Sequence, residues 1–185
     1  AALATTEAEH AAAATPAQQA EPAAKAAPLV ATGRTVLLAQ RSQTAGCTQG
    51  ILPDPECSPG AISAGLTRAV LCSPGFRTTG IRNVPPALKR AVQLAYGLEA
   101  HPYGRAIEID HIVSLELGGS NDIANLYPEP GSGPFSYHLK DKLENRLHRL
   151  VCAGRMALRV AQRRIAADWQ ALYLELFGPP PPAAG

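Results

Sequence analysis

The stretch of residues 108–127 leaves this chain few ways to fold. Upstream and within it, Ile107, Ile109, Val113, Leu115 and Leu117 recur at alternating positions, which predicts a strand or hairpin with one apolar face over residues 105–117. Gly118-Gly119-Ser120-Asn121-Asp122 then turns the chain, and Asn125-Leu126-Tyr127-Pro128 supplies a short second extended piece. After a loop at Pro130-Gly131-Ser132-Gly133-Pro134, Leu139, Leu143, Leu147, Leu150 and Val151 repeat at helical spacing from about Tyr137 to Cys152, and Gly154 ends that helix. Two strands across a glycine turn, followed by a helix, bring the strand end and the helix start to one place.

The rest of the chain is organised around that unit. All nine aromatic residues lie at or after Phe76, so the packed core is expected in the C-terminal two-thirds. The alanine- and proline-rich residues 1–45 lack aromatics and read as a disordered tail, with a short strand or helix turn allowed over 34–40. Residues 46–75 form an arm of Pro, Gly and Ser turns that holds three of the four cysteines. Pro85-Pro86 opens a helix with Leu88, Val92, Ala95 and Tyr96 on one stripe, stopped by Gly97. Leu158, Ala161, Ile165, Trp169, Leu172 and Leu176 share a face of a last helix over 156–176, before a Pro-rich tail at 178–185. The main domain is thus expected at 76–177.

Cys47, Cys57, Cys72 and Cys152 contain no Cys-x-x-Cys pair, which argues against a zinc knuckle and for disulfides in an exported protein. Four cysteines allow three connectivities. A local Cys47–Cys57 bridge and a long Cys72–Cys152 bridge, tying the arm to the helical end, are suggested. No apolar run approaches the roughly 20 residues of a membrane span. Net charge is a weak guide at +2, but residues 140–164 carry eight Lys or Arg against Asp141 and Glu144. Such a run is ordinarily a solvated helix face.

Asp110 and His111 carry the chemistry. Hydrolysis of a phosphodiester needs a base for water and a positive charge on the phosphate and leaving oxygens. A neutral imidazole serves as the base near neutral pH, and a divalent ion serves as the charge. Successive strand residues diverge, so Asp110 would face the metal and His111 the water. Asn125, across the glycine turn, could close the loop and fix the His111 ring. Carboxylate ligation suits Mg²⁺ or Mn²⁺, and an added imidazole extends the choice to Zn²⁺ or Ni²⁺.

Asp110-His111, Gly118-Gly119, Asn125-Leu126 and Lys140-Asp141-x-Leu143-Glu144 together resemble the HNH-type nucleases of the ββα-metal fold, over residues 76–169. The segments Cys72-x-Pro74-Gly75 and Val151-Cys152-x-Gly154 resemble a bacterial exported subgroup. The resemblance implies an α+β domain with a ββα-metal core and flanking helices. It makes Asp110 a metal ligand, His111 the general base and Asn125 the structural amide. The helix of the family ordinarily supplies a further ligand soon after the second strand; here a proline-rich loop intervenes, and His138 is taken for it, with Ser136 and Asp141 as alternatives. Arg105, Lys140, Lys142 and Arg146 are candidates for phosphate contacts. The expected function is metal-dependent hydrolysis of DNA, with RNA second, at low sequence specificity, by a secreted or otherwise extracytoplasmic protein. The alternative is a secreted, non-catalytic metal- or nucleic-acid-binding protein with a degenerate site. A toxin-like role would add an immunity-type inhibitor protein as partner.

Overall fold

The computed structural model describes residues 33–180. The chain enters as strand β1 (Thr35–Leu37), returns after a long excursion as β2 (Ala61–Ser63) and makes one helical turn, α1 (Arg68–Leu71). Helix α2 (Pro86–Ala95) follows, then β3 (Ile107–His111), β4 (Leu126–Pro130), α3 (Tyr137–Cys152) and α4 (Leu158–Phe177). The architecture is mixed α+β with two separate two-stranded antiparallel sheets, β1–β2 and β3–β4. Of the expected disordered tail, residues 1–32 lie outside the described residues, whereas β1 falls inside its second part and pairs Val36 with Ile62.

The three long helices form where the apolar periodicity put them. On α3, Leu139, Leu143, Leu147, Leu150 and Val151 are all buried. Leu139, Leu143, Leu147 and Val151 meet Ile165, Trp169 and Leu172 of α4 and Val113 and Leu117 of the loop after β3. Helix α2 lays Val92, Ala95 and Tyr96 over Ile109 of β3 and Leu126 and Tyr127 of β4. The strand or hairpin expected over 105–117 is only the short strand Ile107–His111. After His111 the chain leaves the ladder, and Leu115–Leu117 form a single 3-10 turn whose Leu115 and Leu117 are buried. Helix α4 breaks at Asp168, whose backbone is extended (φ −162°, ψ 91°). Its Oδ1 accepts from the Ala171 N–H at 2.9 Å and so caps the second segment.

The arm is built into the domain. Ile62 of β2 sits in the same core as Val113, Leu143 and Trp169. Ser63 N–H donates to Gly118 O, and Ser120 N–H donates to Ala61 O, so β2 grips the glycine turn from both sides. Gly118 has φ +78°, a conformation that disfavours side chains. A Cβ on Gly119 would lie 1.7 Å from Val113 O, so only glycine lets the two backbones approach. Disulfides join Cys47 to Cys57 and Cys72 to Cys152, the suggested pairing. Among the described residues no helix is long and apolar enough to cross a membrane.

Candidate functional site

Strand β3 delivers Asp110 and His111 at its last two positions, opposite Tyr127 and Leu126 of β4. The first residues of α3 come up beside them. His111 is buried, at 2% exposure, while the Asp110 side chain keeps 13%. His111 Nε2 lies 3.2 Å from Asn121 Oδ1. The orientation of the Asn121 amide follows from its other partners: its Nδ2 donates to Ile81 O at 2.8 Å, and its Oδ1 accepts from the Asn83 N–H at 3.0 Å. His111 Nε2 must therefore carry the proton, which leaves the lone pair of a neutral ring on Nδ1. Nδ1 is buried, has no hydrogen-bond partner and lies 3.7 Å from Asp110 Oδ1. The Lys140 ammonium, 3.0 Å from Asp110 Oδ2, is the positive charge nearest this carboxylate.

Asn125 does the first half of the expected job, closing the loop through backbone hydrogen bonds, and not the second. It does not touch the His111 ring. Its Oδ1 accepts from the N–H groups of Ala61 (3.1 Å) and Val113 (3.0 Å). Its Nδ2 donates to Val113 O (3.0 Å) and Ser120 O (2.8 Å). One wholly buried amide thus ties β2, the end of β3 and the glycine turn together. The ring is held instead by Asn121, a residue that sequence reasoning passed over as part of the turn.

Lys140 also departs from expectation. Read as a phosphate contact, it is 1% exposed and cannot meet a ligand at the surface. The first turn of α3 points its stem inward, where Nζ reaches Asp110 Oδ2 (3.0 Å), Glu144 Oε1 (2.7 Å), His111 O (2.7 Å) and Glu129 Oε2 (3.4 Å). Burial alone would discharge this ammonium, but the three carboxylates hold its pKa well above the usual lysine range. In return, burial opposes the charge on Asp110, and Lys140 and His111 more than offset that and keep Asp110 ionised far below the ordinary carboxylate range. Glu129 accepts no hydrogen bond of good geometry, and burial, with the Asp110 charge added, lifts it to about 7. Lys140 and Glu144 stand one helical turn apart on α3, whereas Glu129 comes from β4.

His138 stands exposed on the first turn of α3, its ring 4.2 Å from that of Tyr137. Among the described residues no third His, Cys, Asp or Glu atom gathers with Asp110 and His111 within 4.8 Å, so His138 is not assembled there as a ligand. Ser136 is buried at the N-cap of α3. Asp141 is exposed but electrostatically linked to the site: burial, then the charge of Asp110, raises its pKa. Glu108 is raised the same way, by burial and then by Asp110 and Asp141. These two carboxylates add negative charge near the exposed edge of Asp110. Arg105 and Lys142 are exposed and Arg146 is half-buried.

No protein-family model, curated protein or solved structure matches the chain.

One further group has metal-ligating chemistry. Cys72, His148 and Cys152 bring ligand atoms within 4.8 Å of one another. Its two sulfurs are bonded to each other, and thiolates rather than a disulfide bind metal. In the oxidised protein this group is a staple, with His148 Nε2 lying 3.3 Å from Leu71 O.

Proposed function

We propose that the protein is a metal-dependent endonuclease of the HNH type, acting on DNA, with RNA as the second substrate, at low sequence specificity. The single observation carrying this reading is the partnerless Nδ1 of His111, held 3.7 Å from the ionised Asp110 carboxylate. In this reading β3, β4 and α3 are the ββα unit. Asn121 holds the ring so that Nδ1 is the basic atom; buried beside Asp110, Nδ1 would take the proton from the attacking water once that edge of the site opens to admit it. Lys140 keeps Asp110 charged at any working pH, and Asp110 Oδ1 is the oxygen left to hold a cation. Glu108 and Asp141 add negative charge without closing a cage. That donor set suits a hard ion that retains most of its waters, Mg²⁺ or Mn²⁺, better than a tetrahedral Zn²⁺ site. The ion supplies charge neutralisation on the phosphate and the leaving oxygen. The two disulfides suit an oxidising compartment, and we read the protein as exported.

Plasmid nicking with Mg²⁺, Mn²⁺ or Zn²⁺ against an EDTA control tests the reading. His111→Ala is expected to abolish nicking while circular dichroism remains that of the parent. Unchanged nicking by that variant would remove His111 as the base. One observation favours a second reading, a non-catalytic binding protein: the Lys140 ammonium at 3.0 Å already neutralises Asp110 Oδ2. Absence of nicking with all three ions, together with retained DNA binding, would select it.

A further inference from the structure

An open hollow of about 710 Å³ lies beside β3, walled by α2 on one side and by residues 100–105 on the other, with Tyr137 at its edge. Its lining joins two chemistries. Lys89 and Arg90 project from α2 and Arg105 from the opposite wall, and none of the three has a carboxylate within 4.0 Å among the described residues. Between them the rings of His101 and Tyr103 stack, with centroids 4.0 Å apart and planes inclined by 29°. The loop bearing these rings is pinned: buried Gln93 of α2 donates from Nε2 to His101 O at 2.8 Å, and His101 Nδ1 donates to Pro102 O at 3.0 Å. A positioned aromatic pair facing an open space flanked by three free cations has the makings of a stacking platform with phosphate partners.

We propose that this hollow holds an unpaired stretch of nucleic acid, and that the protein therefore prefers single-stranded substrate. This rests on the nuclease reading for its link to cleavage, but not for the binding itself. A duplex turns its bases inward and offers a wall of phosphates, so it presents no base face for these rings to stack against. An unpaired strand presents a base face to His101 and Tyr103 and its phosphates to Lys89, Arg90 and Arg105. The volume is that of an ordinary ligand site. Glu108 lines the hollow, two residues before Asp110 and on the same side of β3. A strand leaving the hollow there passes the exposed edge of Asp110, which couples the binding groove to the site of chemistry.

Fluorescence anisotropy of the full chain in EDTA, with a labelled oligodeoxythymidylate and a labelled duplex, tests the proposal. The single strand is expected to bind about tenfold tighter than the duplex. Tyr103→Ala is expected to weaken single-strand binding about tenfold, from the loss of one stacked base, while Tyr103→Phe retains it. Lys89→Ala and Arg105→Ala, both at exposed positions, are each expected to reduce the salt slope by about 0.7. Duplex bound as tightly as single strand, or Tyr103→Ala without effect on a folded protein, overturns the proposal. Nicking activity that persists alongside that result leaves the nuclease reading intact. Conversely, single-strand binding that depends on Tyr103, with no cleavage under any divalent ion, supports the hollow and removes the nuclease.

Discussion

Two asparagines four residues apart do separable work. Asn125 satisfies two buried N–H groups and two buried carbonyls, so Asn125→Ala strands all four. The loss is expected to be about 3–5 kcal/mol of stability in urea titration. Asn121 instead sets the tautomer of His111, and supports of that kind typically cost 10–100-fold in activity when removed. Asn121→Ala is therefore expected to lower nicking by about that factor while its urea midpoint moves far less than that of Asn125→Ala. Asn125 stood out in the sequence by its place after the glycine turn. Its partners did not, because an amide's hydrogen bonds are decided by which backbone reaches it in space. Glu129 is the third residue of consequence. Its folded pKa of about 7 lies above the ordinary 4.5 of a glutamate, so the folded state holds a proton that the unfolded state has released. Its contribution to stability is whole below pH 4.5 and is lost as pH rises through about 7. Glu129→Gln is expected to flatten the decline in melting temperature between those limits relative to the parent. An unchanged slope would place the titration elsewhere.

At the scale of elements, α3 joins core and site through one buried side chain. Removing Lys140 leaves Asp110, Glu144 and Glu129 without their common cation. Lys140→Ala is expected to cost about 3–5 kcal/mol, whereas the exposed Lys142→Ala stays within about 0.5 kcal/mol, both read from urea midpoints. Equal effects would show that Lys140 is not the hub of this network. The extent of α3 was plain from its leucine spacing, and α2 and α4 likewise. Whether Lys140 faced water or core was not, since a lysine beside a stripe of leucines is ordinarily solvated. Strand β2 and helix α1 escaped notice because three or four residues are too few to show a period. The alternation from Ile107 to Leu117 suggested more strand than forms, as a 3-10 turn also buries Leu115 and Leu117.

Across the whole molecule, one covalent link ties the arm to the domain and another closes a loop within the arm. The Cys72–Cys152 bridge spans 80 residues and Cys47–Cys57 spans 10. In the chain-entropy account, their removal costs roughly 4–5 and roughly 3 kcal/mol respectively. Replacing both members of the long bridge by serine is thus expected to lower the melting temperature more than the same change in the short one. The reverse order would mean that native packing, not the unfolded chain, sets their worth. The α+β class, the three long helices and the Asp110-His111 pair could be read from residue order alone, because periodicity, glycine turns and adjacency are local properties. Which asparagine orients the imidazole, where Lys140 puts its charge and what Glu129 does were decided only on folding. Those roles depend on side chains separated by tens of residues arriving at one buried point, where low polarity makes each charge and each unfilled hydrogen bond count.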